Sequence, residues 1–547
     1  MDHYLARLQN AARKYWDKPA LNDIGGETFT YGQMARSIER FHIVFEKAGI
    51  AKGDKIALCA RNGARWGISY LAVNTYEAVI VPILYDFLPD SVCYLVDHSE
   101  SRILFTDKDK WEKMDISKMP NVNVVLNIET WELLYCKDEK VTDSYSKLDA
   151  LFAERFPDGF GPDNVVYPVD NLDNLSTINY TSGSTGSPKG VMLTYRNFSA
   201  NIDFAQRFIP TSDKCKMVSM LPMAHMYGLA FEFLYPLANG TGIYWLGKTP
   251  TPSALLKAFA EVKPYLLITV PLVMEKIFKS KIKPVLDKPA ISFLTKIPLV
   301  NKLIYKKIRQ GLIDAFGGNV QQFIMGGAAV NPEIEKWFRK IGLPYTVGYG
   351  MTEACPLLAY ELPSRYVAGS CGKPVDCAVV RIASDDPHNV VGEIQAKGEN
   401  ICLGYFKNPE ASANAFTEDG FLRTGDLGII DNDGNLFIRG RSKNMILGPS
   451  GQNIYPEEIE AVVNNQDYVL ETVVVDRGGK LVALVFLDEQ AIAKALLDPE
   501  AVSEIPENIR GGANKKLPAY SQLTKVEIVK EPFEKTPKMS IKRFMYK

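Results

Sequence analysis

The stretch from Ile178 to Tyr195 reads INYTSGSTGSPKGVMLTY and places small hydroxyl side chains and glycines around a single lysine. No side chain from Thr181 to Ser187 is large enough to join a hydrophobic core, so this part is predicted to be a loop. Glycine lets backbone N–H groups turn inward, serine and threonine add donors, and Lys189 adds a positive charge. The pattern predicts a loop that binds a polyphosphate. A flexible Gly/Ser linker is the alternative, and the apolar residues that follow Lys189 at once disfavour it.

The loop differs from the common phosphate motif G-x-x-x-x-G-K-[ST]. Counted from Gly183, Pro188 stands where that motif needs glycine, and Gly190 stands where it needs a hydroxyl. The residues after Lys189 are predicted to form a strand, followed by a helix that begins near Thr194. We therefore expect a phosphate loop between two strands, in which a nest of backbone N–H groups binds the phosphate.

Length and composition exclude several classes of protein. A chain of 547 residues exceeds one hydrophobic core and predicts three or four structural units. The formal net charge of −1 gives no field that would favour nucleic acid. The eight cysteines include no C-x-x-C pair, which is typical of a reduced protein. Neither a signal peptide nor an apolar run of about 20 residues is recognised, so a cytoplasmic location is predicted.

Short apolar segments alternate with helical patterns on both sides of the loop. They predict buried parallel strands joined by helices, and hence an α/β fold. From about Val379 the pattern changes to alternating segments with turn signals such as DNDG at 431–434. Beyond Arg441 the chain shows a strand and helix pattern of its own. We therefore predict a domain over residues 1–440 and a small α+β domain over 441–547, with a hinge near 441–443.

A second group of residues fits nucleotide chemistry. In GYGMTEACPLLA, which begins at Gly348, Tyr349 offers an aromatic face between two glycines and suits a purine. The Thr352 hydroxyl can meet a phosphate, and the Glu353 carboxylate can hold Mg²⁺. A solvated surface acid is the ordinary alternative for a lone glutamate.

Two further segments are weaker signals. Gly326, Gly327 and Ala328 would let a ligand approach the backbone, and they also fit a strand-to-helix turn capped at Asn331. Asp426, in FLRTGDLG, could accept hydrogen bonds from ribose hydroxyls, although Gly-Asp is also a common turn.

Together these residues resemble the adenylate-forming superfamily of acyl-CoA synthetases, peptide-synthetase adenylation domains and luciferases. The motifs YTSGSTGSPKGV, GYGMTE, RTGD, GRSK and YPEEIE occur in the family's order, and the resemblance extends from about Tyr31 to the C-terminus. It implies a large N-terminal domain of two α/β subdomains plus a β-barrel, and a small mobile α+β C-terminal domain. It also implies ATP, Mg²⁺ and CoA as the bound groups.

The resemblance assigns roles to individual residues. Thr352 would contact the α-phosphate, Glu353 would bind Mg²⁺, and Asp426 with Arg441 would hold the ribose. The residues implied to bind ATP are Thr181, Ser182, Gly183, Ser184, Thr185, Gly186, Lys189, Gly327, Ala328, Gly348, Tyr349, Gly350, Met351, Thr352, Asp426 and Arg441. The residues implied to be catalytic are Lys189, His225, Thr352, Glu353, Lys443 and Lys542.

The acyl substrate is predicted from two segments. His225, in LPMAHMYGLAFEFL, matches the family's gate to the acyl pocket, and a satisfied core histidine is the alternative. VPLVMEKIFKSKI, followed by a long insertion, resembles long-chain fatty acyl-CoA synthetases. The resemblance implies ATP-dependent activation of a medium- or long-chain fatty acid to an acyl-adenylate, then transfer to CoA with release of AMP and pyrophosphate. Transfer to a carrier-protein pantetheine and a catalytically weakened adenylate-binding protein are the alternatives.

Two features stand apart from the motifs. The insertion, residues 276–309, is rich in lysine and apolar residues. It fits either peripheral contact with the inner face of a membrane or a solvated helical face over a packed stripe. At the C-terminus, Ser540 stands where the family usually has a lysine before an Ile-x-Arg element. Lys538 or Lys542 could replace it, since residues two apart share one face of a strand.

Overall fold

The apolar segments of the first half of the chain form a seven-stranded sheet in the computed structural model, which describes residues 1–547 except 182–187, 248–250, 448–451, 497–498, 537–540 and 547. Its four inner pairings are parallel and its two outer pairings are antiparallel. The strands, in spatial order, are Leu133–Cys136, Val124–Asn127, Ser101–Thr106, Lys55–Cys59, Val79–Pro82, Leu175–Thr181 and Lys189–Thr194. The predicted loop thus joins two neighbouring antiparallel strands.

The apolar segments that follow the loop also form strands, as predicted. A four-stranded sheet contains, in spatial order, Lys216–Ser219, Gly242–Trp245, Pro19–Asp23 and Thr28–Thr30. A three-stranded parallel sheet contains Leu266–Thr269, Gln322–Met325 and Tyr345–Val347. Parallel strands of this kind place their carboxyl ends at one edge, where ligands bind in open α/β sheets.

The β-rich part after these sheets occupies the position of the predicted barrel. Its two antiparallel sheets share one apolar core, which includes Tyr349, Leu358, Ile394 and Leu436. The strands are Tyr349–Gly350, Leu357–Tyr360 and Lys373–Pro374 in one sheet, and Ala378–Ala383, Gly392–Gly398, Leu422–Ile430 and Leu436–Arg441 in the other. The predicted DNDG turn is present, with Gly434 at φ +85°.

The C-terminal part has a separate core, to which Ile459, Val485, Ile509 and Val526 contribute. Its strands are Ile446–Leu447, Asn453–Ile454, Val469–Asp476, Leu481–Leu487 and Lys525–Val529. The fold is therefore a mixed α/β structure with a large N-terminal domain and a smaller C-terminal one, as predicted.

Helices cover the sheets. In the N-terminal domain they are Tyr4–Lys14, Tyr31–Lys47, Ala64–Thr75, Pro89–His98, Lys108–Trp111, Glu139–Ser146, Leu148–Arg155, Tyr195–Phe208, Met226–Gly228, Tyr235–Ala238, Pro252–Val262, Pro271–Ile277, Lys283–Leu286, Pro289–Leu294, Val300–Ala315, Pro332–Ile341 and Pro409–Ala415, with π-helical turns at Leu229–Leu234 and Phe278–Ile282. In the C-terminal domain they are Pro456–Val463, Glu489–Lys494 and Pro499–Asn514. Within the described ranges, no helix combines the length and apolarity needed to cross a membrane.

Candidate active site

A cavity of about 170 Å³ lies at the carboxyl ends of the parallel strands Leu266–Thr269 and Gln322–Met325. This is the edge at which an open α/β sheet binds ligands. Its lining includes predicted site residues from three separate parts of the sequence, namely His225, Gly327, Gly348, Tyr349, Gly350, Met351 and Thr352.

Gly326, Gly327 and Gly350 are among the glycines that line this cavity. A Cβ on Gly350 would lie 2.0 Å from the Pro356 carbonyl oxygen, and one on Gly326 would lie 3.1 Å from the Tyr227 ring. Gly327 has φ +82°, a conformation that favours glycine. Asn331 caps the following helix through the N–H groups of Glu333 and Ile334, as the sequence predicts. Glycine is therefore required here for space and for backbone shape.

Much of the cavity lining is apolar. The apolar lining side chains include Ile209, Met226, Phe231, Ile268, Ile324, Leu357 and Tyr360. Half-buried His225 precedes the short helix Met226–Gly228 and also lines the cavity. The turn before it is held by Asn179, whose amide donates to the Ala224 carbonyl at 2.8 Å.

Tyr349 connects the cavity to the predicted ribose-binding pair. Its hydroxyl donates to Oδ2 of Asp426 at 2.6 Å, and Nε of Arg441 lies 2.8 Å from Oδ1 of the same carboxylate. Burial raises the pKa of Asp426, and the Arg441 charge opposes that rise. Burial, and then the Asp426 charge, raise the pKa of Tyr349. The carboxylate is thus held at both oxygens, with Arg441 exposed beside it.

Glu353 and Lys189 both contact Tyr405, a residue that the sequence analysis did not identify. The Tyr405 hydroxyl donates to Oε1 of Glu353 at 2.9 Å, and Nζ of Lys189 lies 5.0 Å from the centre of the Tyr405 ring. Burial, and then the Glu353 charge, raise the pKa of Tyr405, so its hydroxyl keeps its proton. Tyr405 therefore contacts both the predicted metal ligand and the lysine that follows the predicted phosphate loop.

Backbone pairing fixes this arrangement. The Phe406 N–H donates to the Gly190 carbonyl at 2.7 Å, and the Leu403 N–H donates to the Met192 carbonyl at 3.0 Å. The segment around Tyr405 therefore runs beside the strand that begins at Lys189. Because Tyr405 and Glu353 are 52 residues apart, no local pattern could have indicated their contact.

Two buried asparagines of the helix Tyr195–Phe208 hold the turn that carries Glu353 and the segment that precedes Tyr405. The Asn201 amide donates to the carbonyls of Ala354 and Cys355 at 3.0 and 2.8 Å. The Asn197 amide donates to the carbonyls of Glu399 and Ile401, both at 2.8 Å. Buried asparagines four residues apart share one face of a helix, and this spacing is the signal that sequence reasoning missed.

Other predicted residues lie outside the cavity lining. Ala328 is exposed at the turn after Gly327, so the structure does not place it with the glycines against the cavity. Lys443 is exposed in the turn Ser442–Asn444, and Lys542 is paired with Glu534 in the C-terminal domain. Thr181 is half-buried at the end of its strand. The remaining phosphate-loop residues Ser182, Gly183, Ser184, Thr185 and Gly186, and also Lys538 and Ser540, lie outside the described residues.

A single magnesium ligand is consistent with the donor set. Within the described ranges, no group of three or more His, Cys, Asp and Glu side chains is placed to hold a metal ion. Mg²⁺ commonly takes one or two protein carboxylates and completes its shell with water and substrate phosphates. One oxygen of Glu353 accepts from Tyr405, and no described residue donates to the other. Glu353 therefore fits a metal that is held jointly with a nucleotide.

A larger cavity, of about 520 Å³, lies at the opposite edge of the three-stranded sheet. It is lined by Gln322 and Tyr345, the first residues of two of its strands. It contains none of the predicted site residues, and ligands of open α/β sheets bind at the carboxyl ends of strands. The smaller cavity is therefore the candidate site.

Sequence comparison identifies the family. A profile of the AMP-binding enzyme family matches residues 8–406, and a profile of the AMP-binding enzyme C-terminal domain matches residues 443–546. The chain belongs to the AMP-binding enzyme family, and the predicted enzyme class, an acid–thiol ligase, is confirmed with it.

Curated relatives align over most of the chain. Long-chain-fatty-acid–CoA ligase FadD15 of Mycobacterium tuberculosis is 26% identical, covering 94% of this chain and 89% of its own length. The probable acyl-activating enzyme 16 of Arabidopsis thaliana, described as chloroplastic, is 26% identical, covering 98% and 86%. Long-chain-fatty-acid–CoA ligase 4 of Saccharomyces cerevisiae is 27% identical, covering 81% and 69%.

Solved structures share the fold. ATP-bound MatB from Rhodopseudomonas palustris has a TM-score of 0.76 at 22% identity and covers 100% of this chain and 98% of its own. MenE from Bacillus subtilis in complex with AMP has a TM-score of 0.75 at 20% identity, with coverage of 100% and 98%. The predicted adenylate-forming fold is thereby confirmed.

Proposed function

We propose that the protein activates a medium- or long-chain fatty acid with ATP, forms an acyl-adenylate, and transfers the acyl group to CoA. The observation that carries this proposal is the composition of the cavity. The same cavity is lined by the glycines, Tyr349 and Thr352 predicted to surround a nucleotide and by apolar side chains that suit an acyl chain. The names of the long-chain-fatty-acid–CoA ligase relatives support the same acid.

The nucleotide would lie across residues that the structure brings together. Tyr349 would offer its ring to the adenine, while Asp426 and Arg441 would bind the ribose. Thr352 would donate to the α-phosphate, and Lys189 would bind the outer phosphates. Mg²⁺, held by Glu353 and the phosphates, would neutralise part of the phosphate charge.

The first chemical step needs no general base. A carboxylic acid is ionised at neutral pH, so its oxygen can attack the α-phosphorus directly while pyrophosphate leaves. The barrier is repulsion between two anions, which the Lys189 and Arg441 charges reduce. In the second step the CoA thiolate attacks the acyl carbonyl of the mixed anhydride, and AMP leaves.

The acyl chain would extend from the reacting carbon along the apolar side chains of the cavity. A volume of about 170 Å³ is small for this purpose, since ligand pockets usually measure about 300–1,000 Å³. His225 and Tyr227, which line the cavity, would therefore move when a long chain enters. The Tyr227 hydroxyl donates to the Ile324 carbonyl at 3.2 Å, and that bond would have to break.

The test is a panel of acids from acetate to stearate, together with benzoate and amino acids. The purified protein is incubated with ATP and Mg²⁺, with and without CoA, and AMP and acyl-CoA are measured. We expect AMP release with medium- or long-chain acids and acyl-CoA only when CoA is present. The Glu353→Gln variant is the matched control for contaminating activity.

Three outcomes would contradict the proposal. Turnover of amino acids or aryl acids alone would exclude a fatty acid. Adenylate formation without acyl-CoA, but with acyl transfer to an acyl carrier protein, would identify a carrier-protein acceptor. Binding of ATP and fatty acid with no AMP release would identify a binding protein with weakened catalysis.

A further inference from the structure

The insertion at residues 276–309 concentrates positive charge to an unusual degree. It contains nine lysines and one arginine against a single aspartate, a net charge of +9. Because the whole chain carries −1, the rest of the chain carries −10. Within the described part of the insertion, eight lysines are exposed and none forms an ion pair with another described residue.

Large apolar side chains are exposed in the same segment. Phe293 in the helix Pro289–Leu294 is 65% exposed, while Leu299 and Leu303, which begin the next helix, are 73% and 70% exposed. Leu299 also has φ +71°, a conformation that leucine rarely adopts. These three side chains, which lie within eleven residues of sequence, add apolar surface to the lysine-rich segment.

The helix Val300–Ala315 has one exposed face and one face packed against the hydrophobic core. Residues 299, 302, 303, 306 and 307 are exposed, and their spacing of three and four places them on one side. On another side, Tyr305 and Ile308 pack with buried Leu312 in the hydrophobic core, where the Tyr305 and Trp337 rings lie 6.3 Å apart. One side of this helix is therefore packed against the hydrophobic core. The exposed side, which carries lysines and leucines, has no partner among the described residues.

We propose that this surface, formed by Phe293, Leu299, Lys302, Leu303, Lys306 and Lys307, binds an anionic lipid membrane. Lysines around exposed leucines and phenylalanine match a bilayer surface, where headgroups carry the negative charge and the acyl boundary receives the apolar side chains. An acidic protein would satisfy the charge but would not require three scattered apolar side chains on two successive helices.

The surface is attached to the candidate active site. The insertion begins in the helix Pro271–Ile277, which follows the strand whose Ile268 lines the cavity. Oε1 of Glu275 accepts from the Asn331 N–H at 3.0 Å, next to the turn that contains Gly327. Membrane binding would therefore hold the cavity near the lipid phase, although the proposal about binding does not depend on the acyl substrate proposed above.

The test is flotation of the full-length protein with phosphatidylcholine vesicles, with and without phosphatidylglycerol. We expect binding only to the anionic vesicles and weaker binding as salt rises. The triple variant Lys302→Glu, Lys306→Glu, Lys307→Glu should bind at least about 100-fold more weakly, since each lysine near an anionic surface contributes roughly a factor of five and each new glutamate is repelled by that surface. The matched control is Lys113→Glu, Lys137→Glu, Lys140→Glu, which changes the same charge at exposed lysines elsewhere.

A second pair of variants tests the apolar contribution without changing charge. Leu299→Gln with Leu303→Gln should weaken binding about tenfold. Leu88→Gln with Leu470→Gln alters two other exposed leucines and should leave binding unchanged. If the charge-reversed variant fails to fold, this pair and the salt titration decide the question. The proposal would be overturned if the protein did not bind vesicles, or if the test and control variants lost binding equally. It would also be overturned if the protein bound an acidic protein such as acyl carrier protein in place of vesicles.

Discussion

The Tyr405 hydroxyl donates a 2.9 Å hydrogen bond to Oε1 of Glu353, while its ring lies beneath the ammonium group of Lys189, 5.0 Å from Nζ. One side chain thus contacts both the predicted metal ligand and the predicted phosphate-binding lysine. Its backbone pairs with the strand that begins at Lys189, so its position follows from the sheet. We infer that Tyr405 positions Glu353, and that this role can be separated from folding.

Tyr405→Phe removes the hydroxyl and keeps the ring beneath Lys189. We expect a higher Mg²⁺ requirement and adenylation slowed about tenfold or more, since hydrogen bonds to charged groups are worth roughly 1.5–3 kcal/mol. The measurement is single-turnover adenylate formation across a Mg²⁺ titration. Tyr366→Phe is the control, because it removes a hydroxyl that donates to another glutamate, Glu335, at 2.9 Å outside the candidate active site. Identical Mg²⁺ dependence in Tyr405→Phe and wild type would show that Tyr405 only supports the fold.

Glu353→Gln and Lys189→Ala should change different kinetic parameters, the adenylation rate and the KM for ATP. Loss of the metal ligand should slow adenylation by about two to three orders of magnitude with the fold retained. Loss of the lysine should mainly raise KM for ATP, by about tenfold to 100-fold. Lys407→Ala is the control, because Lys407 is exposed two residues beyond Tyr405 and pairs with Glu100. Unchanged single-turnover rates and KM values in both test variants would refute the proposed roles.

Much of this site could be predicted from the sequence. GYGMTE and the glycines at 326–327 indicated a nucleotide site, and the structure places residues 348–352 and both glycines around one cavity. These signals are local because a turn or a close backbone approach needs particular residue types at fixed spacing. The contact of Tyr405 with Glu353 depends on tertiary pairing. So do the hydrogen bonds that Asn197 and Asn201 donate to backbone carbonyls. Single-sequence reasoning has no access to such pairing.

Glu232 makes stability depend on pH. This fully buried carboxylate accepts three hydrogen bonds on Oε2, from the Ser219 hydroxyl and from the N–H groups of Met220 and Leu221, while Oε1 has no partner among the described residues. Burial raises its pKa from 4.5 to about 8. The folded state therefore binds the proton more tightly, and the stability from this group is complete below pH 4.5 and lost as the pH rises toward about 8.

Glu232→Gln should remove this dependence. One pKa unit corresponds to about 1.4 kcal/mol, so the wild-type stability should fall by a few kcal/mol more than that of the variant between mildly acidic and mildly alkaline pH. Thermal midpoints measured across this range provide the comparison, with exposed Glu504→Gln as the control for charge removal. Parallel pH curves for wild type and Glu232→Gln would show that this carboxylate does not change its proton affinity on folding.

The C-terminal lysines give a further prediction. Nζ of Lys542 lies 3.1 Å from Oε2 of Glu534, so it must leave this partner to act elsewhere. If Lys542 replaces the missing family lysine, Lys542→Ala should slow adenylation by more than about tenfold and leave thioester formation nearly unchanged. Ser540→Lys should instead accelerate adenylation if the wild-type site lacks a charge. Pre-steady-state rates for both variants and for Lys538→Ala decide between these cases. Unchanged rates in all three variants would show that the C-terminal segment takes no part in adenylation.

Pyrophosphate–ATP exchange tests the central claim most directly, because it reports reversible adenylate formation without any acceptor. With ATP, Mg²⁺ and labelled pyrophosphate, the wild-type protein should incorporate label into ATP only when a medium- or long-chain fatty acid is present. Glu353→Gln should lose this exchange by about two to three orders of magnitude. Exchange that is absent with every fatty acid, or that is equal in wild type and Glu353→Gln, would contradict fatty-acid adenylation at this site.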